Sequence, residues 1–321
     1  MRKLLACLVV LAIQSLGSTA RAQQDRVQAT DRAPESLSGA RQYAVVKAQL
    51  EPSYVTILGG EGNIQPLLFE ADIVPHFVLA WRNHGFVFTP KVLFRMFNDS
   101  TESAPIRTPS FMPRLAWYYW GFRPSADRDR LDFVSVTISH HSNGQAGPFY
   151  LADSSEPNTF DGSFSTNFIE VMHHRAYGAA PALQATWLRY GLRVHIPVNE
   201  DRELRDPQGD DEYGRYRLLL GGQRRGILPL CAWFELPFIV RAEYFYILDK
   251  HFQGKPFFSR DRLGLSLTWI SVIPAAESLG FFINFYAGQD YYNIWYKQYL
   301  TILRVGFTVQ SITTLVNPGD R

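Results

Sequence analysis

The chain has 321 residues, of which 46% are hydrophobic and 14% aromatic, and this is enough for one large folded domain. Its 32 basic and 30 acidic residues nearly cancel, so the net charge gives no electrostatic case for a nucleic-acid partner. One of its two cysteines, Cys7, falls in a predicted leader, which leaves Cys231 alone and excludes an intrachain disulfide in the mature protein.

The first predicted element is a secretory leader. Two basic residues precede an apolar run over residues 4–16, and Ala20–Ala22 offers a cleavage site of the small-x-small type. We therefore predict a signal peptide over residues 1–22, since the run is too short to span a bilayer. Removing its three basic residues leaves 29 basic against 30 acidic residues. Residues 23–41 are polar and are predicted to form a loose N-terminal lead.

From residue 42 onward the chain alternates between apolar and polar side chains. No segment offers the roughly 18 consecutive uncharged apolar residues of a membrane helix, so any membrane insertion must use strands. We predict strands near 53–58, 69–81, 86–96, 111–122, 131–142, 164–176, 183–196, 213–221, 238–247, 262–270, 279–287 and 300–310.

This pattern predicts an all-β fold, a twelve-stranded antiparallel transmembrane β-barrel over residues 42–312 with a C-terminal tail at 313–321. The region 227–237 contains two prolines and resists assignment. A soluble β-sandwich or a lipocalin-like barrel is the alternative, because alternation alone does not distinguish lipid from a packed apolar core.

One predicted strand, 131–142, ends in a nucleophile and a base. Val134, Val136, Ile138, His140 and Ser142 share one face of this strand. A serine hydroxyl needs an adjacent base to act as a nucleophile at neutral pH. Side chains at i and i+2 project from the same face about 6 to 7 Å apart, so His140 can reach Ser142. A His-x-Ser pair alone is common on ordinary strands.

Asn167 is the candidate third member of this site. It shares the more apolar face of its strand with Ile169 and Val171, which places it on the lipid side. Its amide oxygen can accept a hydrogen bond from His140 and hold the ring in one tautomer. An ionised carboxylate on a lipid-facing wall would carry a larger desolvation cost.

These residues resemble the outer membrane phospholipase A family of Gram-negative bacteria. That family uses a Ser-His-Asn triad on the outer wall of a twelve-stranded barrel, and His140–Gly144 matches its H-x-S-N-G block, followed one strand later by Asn167. Further motifs resemble the family: Trp81–Arg82, Glu102–Arg107 with Ile106 in place of an aromatic residue, Phe111-x-Pro113, and Arg304–Val309 in the final strand.

The resemblance implies calcium-dependent hydrolysis of phospholipid acyl esters in the outer membrane. His140 would be the general base, Ser142 the nucleophile and Asn167 the orienting acceptor. The backbone N–H of Gly144, together with a water polarised by calcium, would bind the oxyanion. Membrane phospholipids are then the expected partners.

The resemblance also implies a homodimer in the active state, since calcium joins two protomers in this family. Its ligands would be the Gln145 carbonyl and the Ser163 hydroxyl of one chain and the Ser103 carbonyl of the other. The loop between Gly144 and Asn167 is about a dozen residues longer than in the family. It could add carboxylates to a calcium site, move the lid over the substrate or be solvated, and we expect most of it to be solvated.

One departure from the family and two alternative functions remain open. The glutamine that the family buries at its interface has no clear match here, and the nearest position is Lys91. The non-catalytic alternative is an outer-membrane channel or structural barrel, and a further alternative is a hydrolase of lipid A or another ester. The run His173–Arg175 is expected to be an ordinary strand end, because adjacent strand side chains point to opposite faces.

Overall fold

The computed structural model describes residues 46–81, 83–98, 106, 108–120, 130–152, 156–177, 186–197, 212–231, 234–273 and 276–315. The predicted signal peptide and N-terminal lead lie outside these residues. All described residues belong to one compact unit, 36–321. Within that described part, no helix is long and apolar enough to cross a membrane.

The described chain is almost entirely strand. Its strands are β1 (Ser53–Thr56), β2 (Glu61–Gly62), β3 (Leu67–Ile73), β4 (His76–Trp81), β5 (His84–Phe97), β6 (Ser110–Tyr119), β7 (Arg130–Ser142), β8 (Ser165–Tyr177), β9 (Thr186–Pro197), β10 (Tyr216–Cys231), β11 (Phe234–Ile247), β12 (Leu263–Ile273), β13 (Ala276–Gln289), β14 (Tyr299–Val309) and β15 (Ile312–Leu315). Short helical segments cover 46–49, Arg260–Arg262 and Asn293–Lys297.

The strands close into a ring. Its order is β5-β3-β1-β14-β13-β12-β11-β10-β9-β8-β7-β6, and the pairing of β6 with β5 completes it. β4 follows β3 along the same edge of β5, β2 pairs with β14, and β15 runs parallel to β4. The ring has twelve antiparallel members, so the predicted barrel is confirmed. β15 includes residues 313–315 of the predicted tail.

The barrel is polar inside and apolar outside. Along β7 the inward residues Ser135, Thr137, Ser139 and His141 are buried, while the outward Ile138 is 52% exposed. The outer wall carries the exposed large apolar side chains of most strands, including Leu115, Ile169, Val171, Leu192, Leu218, Leu220, Ile283, Leu303 and Phe307. An apolar exterior around a polar interior is the pattern of a barrel wall that faces lipid.

A buried ionic network fills the middle of the barrel. Glu70 is fully buried and accepts hydrogen bonds from Arg95 Nε at 2.7 Å, Arg304 Nη1 at 2.5 Å and Tyr54 Oη at 2.6 Å. Arg95 also donates to both carboxylate oxygens of Asp290 at 2.8 and 2.9 Å. Because each charge has several partners, the network offsets the desolvation cost of burying it.

Both ends of the lumen are occupied. At one end, residues 46–52 lie inside the ring, where the Ala48 carbonyl accepts from Trp187 Nε1 at 2.9 Å and the Leu50 carbonyl accepts from Arg241 Nη2 at 3.1 Å. At the other end, the helix Asn293–Lys297 buries most of its side chains. A cavity of about 370 Å³, lined mainly by charged and aromatic residues, lies inside the barrel.

The region 227–237, which resisted assignment, belongs to the β10–β11 hairpin. Ile227 pairs with Pro237 and Pro229 with Glu235, and the register shifts next to Pro229. Pairing between β9 and β10 ends at Gln223, so the prolines lie beyond that ladder in the described strands. A proline lacks the backbone N–H of a strand and is tolerated at an edge or a bulge.

Candidate active site on the outer wall

The three candidate catalytic residues lie on two paired strands. His140 on β7 stands directly opposite Asn167 on β8, and Ser142 stands opposite Ser165. The alternation of each strand turns these side chains to the outer wall, where all of them are half-buried. Regular antiparallel pairing therefore brings together residues that are 27 positions apart in the chain.

A hydrogen bond links the base to its orienting residue. His140 Nδ1 lies 2.9 Å from Asn167 Oδ1. Since an amide oxygen only accepts, Nδ1 carries the proton and Nε2 is left with a free lone pair. In the described chain no hydrogen bond joins Ser142 to His140. Such contacts are often longer in a free enzyme and shorten when substrate is bound.

Asn143 is a functional candidate that the sequence motif contains but that received no role. It is 1% exposed, and its Nδ2 donates to the Gly162 carbonyl at 2.7 Å. Its Oδ1 accepts from the Phe164 backbone N–H at 2.9 Å and, over a longer 3.3 Å, from that of Gln145. Asn143 thus joins the end of β7 to the start of β8. The sequence could have indicated a structural role for Asn143, because the residue directly after Ser142 on the strand points inward.

Gly144 turns the chain away from the strand. Its φ of +67° lies in the left-handed region, which glycine adopts without the strain of a side chain. The ring of Phe111, which pairs across the sheet with Ser142, lies 3.5 Å from where a Cβ on Gly144 would stand. Phe111 is 41% exposed and gives the site an apolar border on the β6 side.

The predicted calcium ligands are described only in part. Ser103 lies outside the described residues. Gln145 and Ser163 lie on facing segments of the loop after β7, where the Ser163 N–H donates to the Gly147 carbonyl at 2.9 Å. The described residues contain no group of three His, Cys, Asp or Glu side chains that could hold a metal. A carbonyl and a hydroxyl are nevertheless oxygen ligands of the kind that calcium prefers.

The described residues of the long loop after Gly144, 145–152 and 156–164, make more packing and hydrogen-bond contacts than a wholly solvated segment would. Asn158 is 6% exposed, its N–H donates to the Phe149 carbonyl at 2.8 Å, and its Nδ2 donates to Asp161 at 2.6 Å. The loop packs on the helix Asn293–Lys297, where Phe149 meets the ring of Tyr296. Burial raises the pKa of the Tyr296 hydroxyl. Glu156 and Asp161 are exposed, as a solvated face requires.

The barrel also places Lys91, His173 and His174, which the sequence analysis singled out. Lys91 points into the lumen, where its Nζ lies 2.8 Å from Asp72 and 3.1 Å from Glu51, so it cannot form a lipid-facing interface. His173 and His174 face opposite sides, as expected of neighbours on a strand. His174 is buried inside, 2.7 Å from Ser135 Oγ, and His173 is on the outer wall.

The fold and the site together define a twelve-stranded β-barrel with an apolar outer wall that carries a serine, a histidine and an asparagine. The same fold occurs in solved structures of outer membrane phospholipase A. The Escherichia coli enzyme is 15% identical, with a TM-score of 0.53 over 84% of this chain and 97% of that chain. An active-site mutant of the Escherichia coli enzyme at pH 6.1 is also 15% identical, with a TM-score of 0.52 and coverage of 88% and 95%.

A calcium-bound dimer of outer membrane phospholipase from Salmonella typhi is similar to the same degree, with 15% identity, a TM-score of 0.52 and coverage of 84% and 97%. No protein-family model matches the chain, and no curated protein sequence matches it. The likeness at this identity establishes the fold that the sequence motifs predicted.

Proposed function

We propose that this protein is a calcium-dependent phospholipase of the outer membrane that hydrolyses acyl esters through Ser142, His140 and Asn167. The observation that supports this most directly is the 2.9 Å contact between His140 Nδ1 and Asn167 Oδ1 on an apolar outer wall. A structural strand has no need of a histidine held in one tautomer beside a serine, in a position where acyl chains would lie.

Each residue has a defined chemical task in this proposal. His140 Nε2 takes the Ser142 proton as Oγ attacks the ester carbonyl, and later returns it to the leaving alcohol. Asn167 holds the ring and accepts from the imidazolium that forms. The Gly144 N–H donates to the oxyanion of the tetrahedral intermediate. Water then hydrolyses the acyl-serine by the same steps.

Calcium fits the oxygen donors of the loop. The Gln145 carbonyl and the Ser163 hydroxyl would hold it from one protomer and the Ser103 carbonyl from its partner. When bound, the ion would supply positive charge near the oxyanion. A site divided in this way makes a homodimer the active form, and this suits an enzyme that is surrounded by its substrate.

The barrel also supports a membrane orientation. The connections at the end that carries Ser142 are long, for example 143–164 and 198–215, whereas 232–233 and 274–275 at the opposite end are short. Outer-membrane barrels have short periplasmic turns and longer extracellular loops. The triad would therefore face the outer leaflet.

The decisive measurement is fatty-acid release from detergent-dispersed phospholipid, with calcium and with a chelator. We expect release with calcium, its loss with chelator, and a loss of at least about 1000-fold in Ser142→Ala, since the nucleophile and base act as a unit. Ser271→Ala, an outward serine on the distant strand β12, is the matched control and should retain full activity. Wild-type protein that releases no fatty acid with calcium would refute the proposal.

The non-catalytic channel is less well supported. A conducting channel needs a continuous aqueous path, but residues 46–52, the Glu70 network and the helix Asn293–Lys297 all lie within the lumen. Release of fatty acid from lipid A in preference to phospholipid would instead favour the alternative hydrolase.

A further inference from the structure

An ionic cluster lies on the outer wall at the far end of the two candidate catalytic strands. Asp132 accepts from Arg130 Nε at 2.6 Å and from Arg175 Nε at 2.8 Å, and His173 Nε2 lies 3.6 Å away. These four residues form the outer-wall ionic cluster. All lie on the outward faces of β7 and β8, the faces that also carry His140. Their side chains are 18% to 37% exposed.

The cluster shortens the apolar wall below the candidate site. Along β7 only Val134, Val136 and Ile138 separate Asp132 from His140 on the outward face. Eight residues span about 27 Å along a strand, or about 20 Å along the axis of a barrel with ~40° tilt. The apolar band of an outer-membrane barrel is about 25 Å tall. The wall is therefore short at this place.

The neighbouring strand β9 has no such interruption. Its residues opposite Arg175 and His173 are apolar or aromatic, and the outward series continues to the level of Asn167. The series is Leu188, Tyr190, Leu192, Val194 and Ile196. The cluster therefore does not continue onto β9.

The charge of the cluster is suited to a phosphate. Two arginines and one aspartate give a formal charge of +1, without counting His173. Arg130 uses only its Nε–H in the bonds described above, whereas Arg175 also has a side-chain hydrogen bond with Tyr177. A guanidinium has five N–H donors in a planar fork that matches a phosphate, so further donors remain on both arginines. A net charge on a lipid-facing wall is costly unless a group of opposite charge covers it.

We propose that the outer-wall ionic cluster binds the headgroup phosphate of a phospholipid in the leaflet opposite the triad. This rests on the proposed function only in requiring that the barrel spans a membrane. The bound headgroup covers Arg130 and Arg175 and draws that leaflet toward the triad, because a short apolar wall is accommodated by local thinning of the bilayer.

The test counts lipids retained by the detergent-purified full-length protein in native mass spectrometry, in a Ser142→Ala background that leaves lipid intact. The probes are phosphatidylglycerol and diacylglycerol with equal acyl chains. We expect preferential retention of phosphatidylglycerol, and a drop of about tenfold in Arg130→Gln/Arg175→Gln, as expected for the loss of charge-assisted hydrogen bonds. Arg224→Gln, an outward arginine on β10 near the same end, should retain the lipid.

Because the double variant could also lose lipid by misfolding, a second variant is expected to change lipid retention in the opposite direction. Asp132→Asn removes the internal competitor for both arginines and should raise phosphatidylglycerol retention. Unchanged retention in the double variant, or an equal drop in Arg224→Gln, would overturn the inference. If the variants retain lipid as expected but wild type releases no fatty acid, only the phospholipase proposal is refuted. If wild type releases fatty acid but the double variant retains as much phosphatidylglycerol as wild type, only the lipid site is refuted.

Discussion

At the scale of single residues, the candidate site depends on a neutral acceptor. Asn167 offers His140 an oxygen without bringing a full negative charge to a wall of Ile169 and Val171. The amide and the imidazole are each half-buried, and each satisfies a polar atom of the other. This pairing lets an apolar surface hold a base at modest desolvation cost.

Asn167→Ala should lower kcat by about 10- to 100-fold, because the loss of one partly buried hydrogen bond of about 1 to 3 kcal/mol frees the His140 ring. Asn167→Asp should retain more activity than the alanine variant, since a carboxylate can still accept from Nδ1. Steady-state kinetics on dispersed phospholipid measure both. Equal activity of the alanine variant and wild type would remove Asn167 from the site.

At the scale of secondary-structure elements, the geometry follows from the junction between β7 and β8. The strands pair from Arg130–Tyr177 to Ser142–Ser165 without a register shift, so each outward residue of one strand has an outward partner on the other. The chain then leaves β7 through Asn143, whose N–H donates to the Phe164 carbonyl at 3.1 Å. The buried Asn143 therefore contacts both the beginning and the end of this loop.

Asn143→Ala should lower kcat about tenfold and leave KM nearly unchanged, because the lost side-chain hydrogen bonds release the Gly144 turn that donates to the oxyanion. Hydrogen exchange of residues 162–164 should quicken in the same variant. Thr159→Ala, in the same loop, is the control and should change neither quantity. A rise in KM without a fall in kcat would assign Asn143 to substrate binding instead.

At the scale of the whole molecule, stability depends on the charged interior. Glu70 bridges strands β1, β3, β5 and β14 through its contacts with Tyr54, Arg95 and Arg304. These strands lie at the place where the first and last parts of the chain meet to close the barrel. The ionic network around Glu70 thus stabilises the place where the barrel closes.

Glu70→Gln should destabilise the barrel by about 3 to 5 kcal/mol, since it leaves two buried arginines short of a carboxylate. Urea unfolding followed by tryptophan fluorescence would measure the change. The matched control is Glu61→Gln, an exposed glutamate, which should unfold like wild type. Equal midpoints for both variants would mean that the network contributes no net stability.

The filled lumen gives a second prediction at this scale. Reconstituted protein should show no steady ion conductance in a planar bilayer, because residues 46–52 and the helix Asn293–Lys297 occupy its two ends. Removal of the Trp187 and Arg241 contacts, in Trp187→Ala/Arg241→Ala, should introduce transient openings. Stable channels in wild type would revive the channel alternative.

Much of this arrangement was predictable from alternation. A period of two along β7 and β8 is enough to assign His140, Ser142 and Asn167 to the outer face, since neighbouring strand residues point to opposite sides. The limits of prediction are equally physical. Pro229 and Pro237 weaken the strand signal, because strand propensity does not indicate whether a proline lies at an edge or a bulge. The packing of the loop on Tyr296 could not be predicted either, because it joins segments that are distant in the chain.

The sequence by itself determined the alternating strands and the face of each strand on which each candidate residue lies, because both follow from local periodicity. The closure of these strands into a ring of twelve, rather than a sandwich, was decided by the tertiary structure. Only the tertiary structure decided that Asn167 stands directly opposite His140, that Asn143 joins both ends of the loop, and that Asp132 lies between two arginines on the lipid-facing wall. Those facts depend on strand register, and register is set by the pairing of the whole barrel rather than by any one segment.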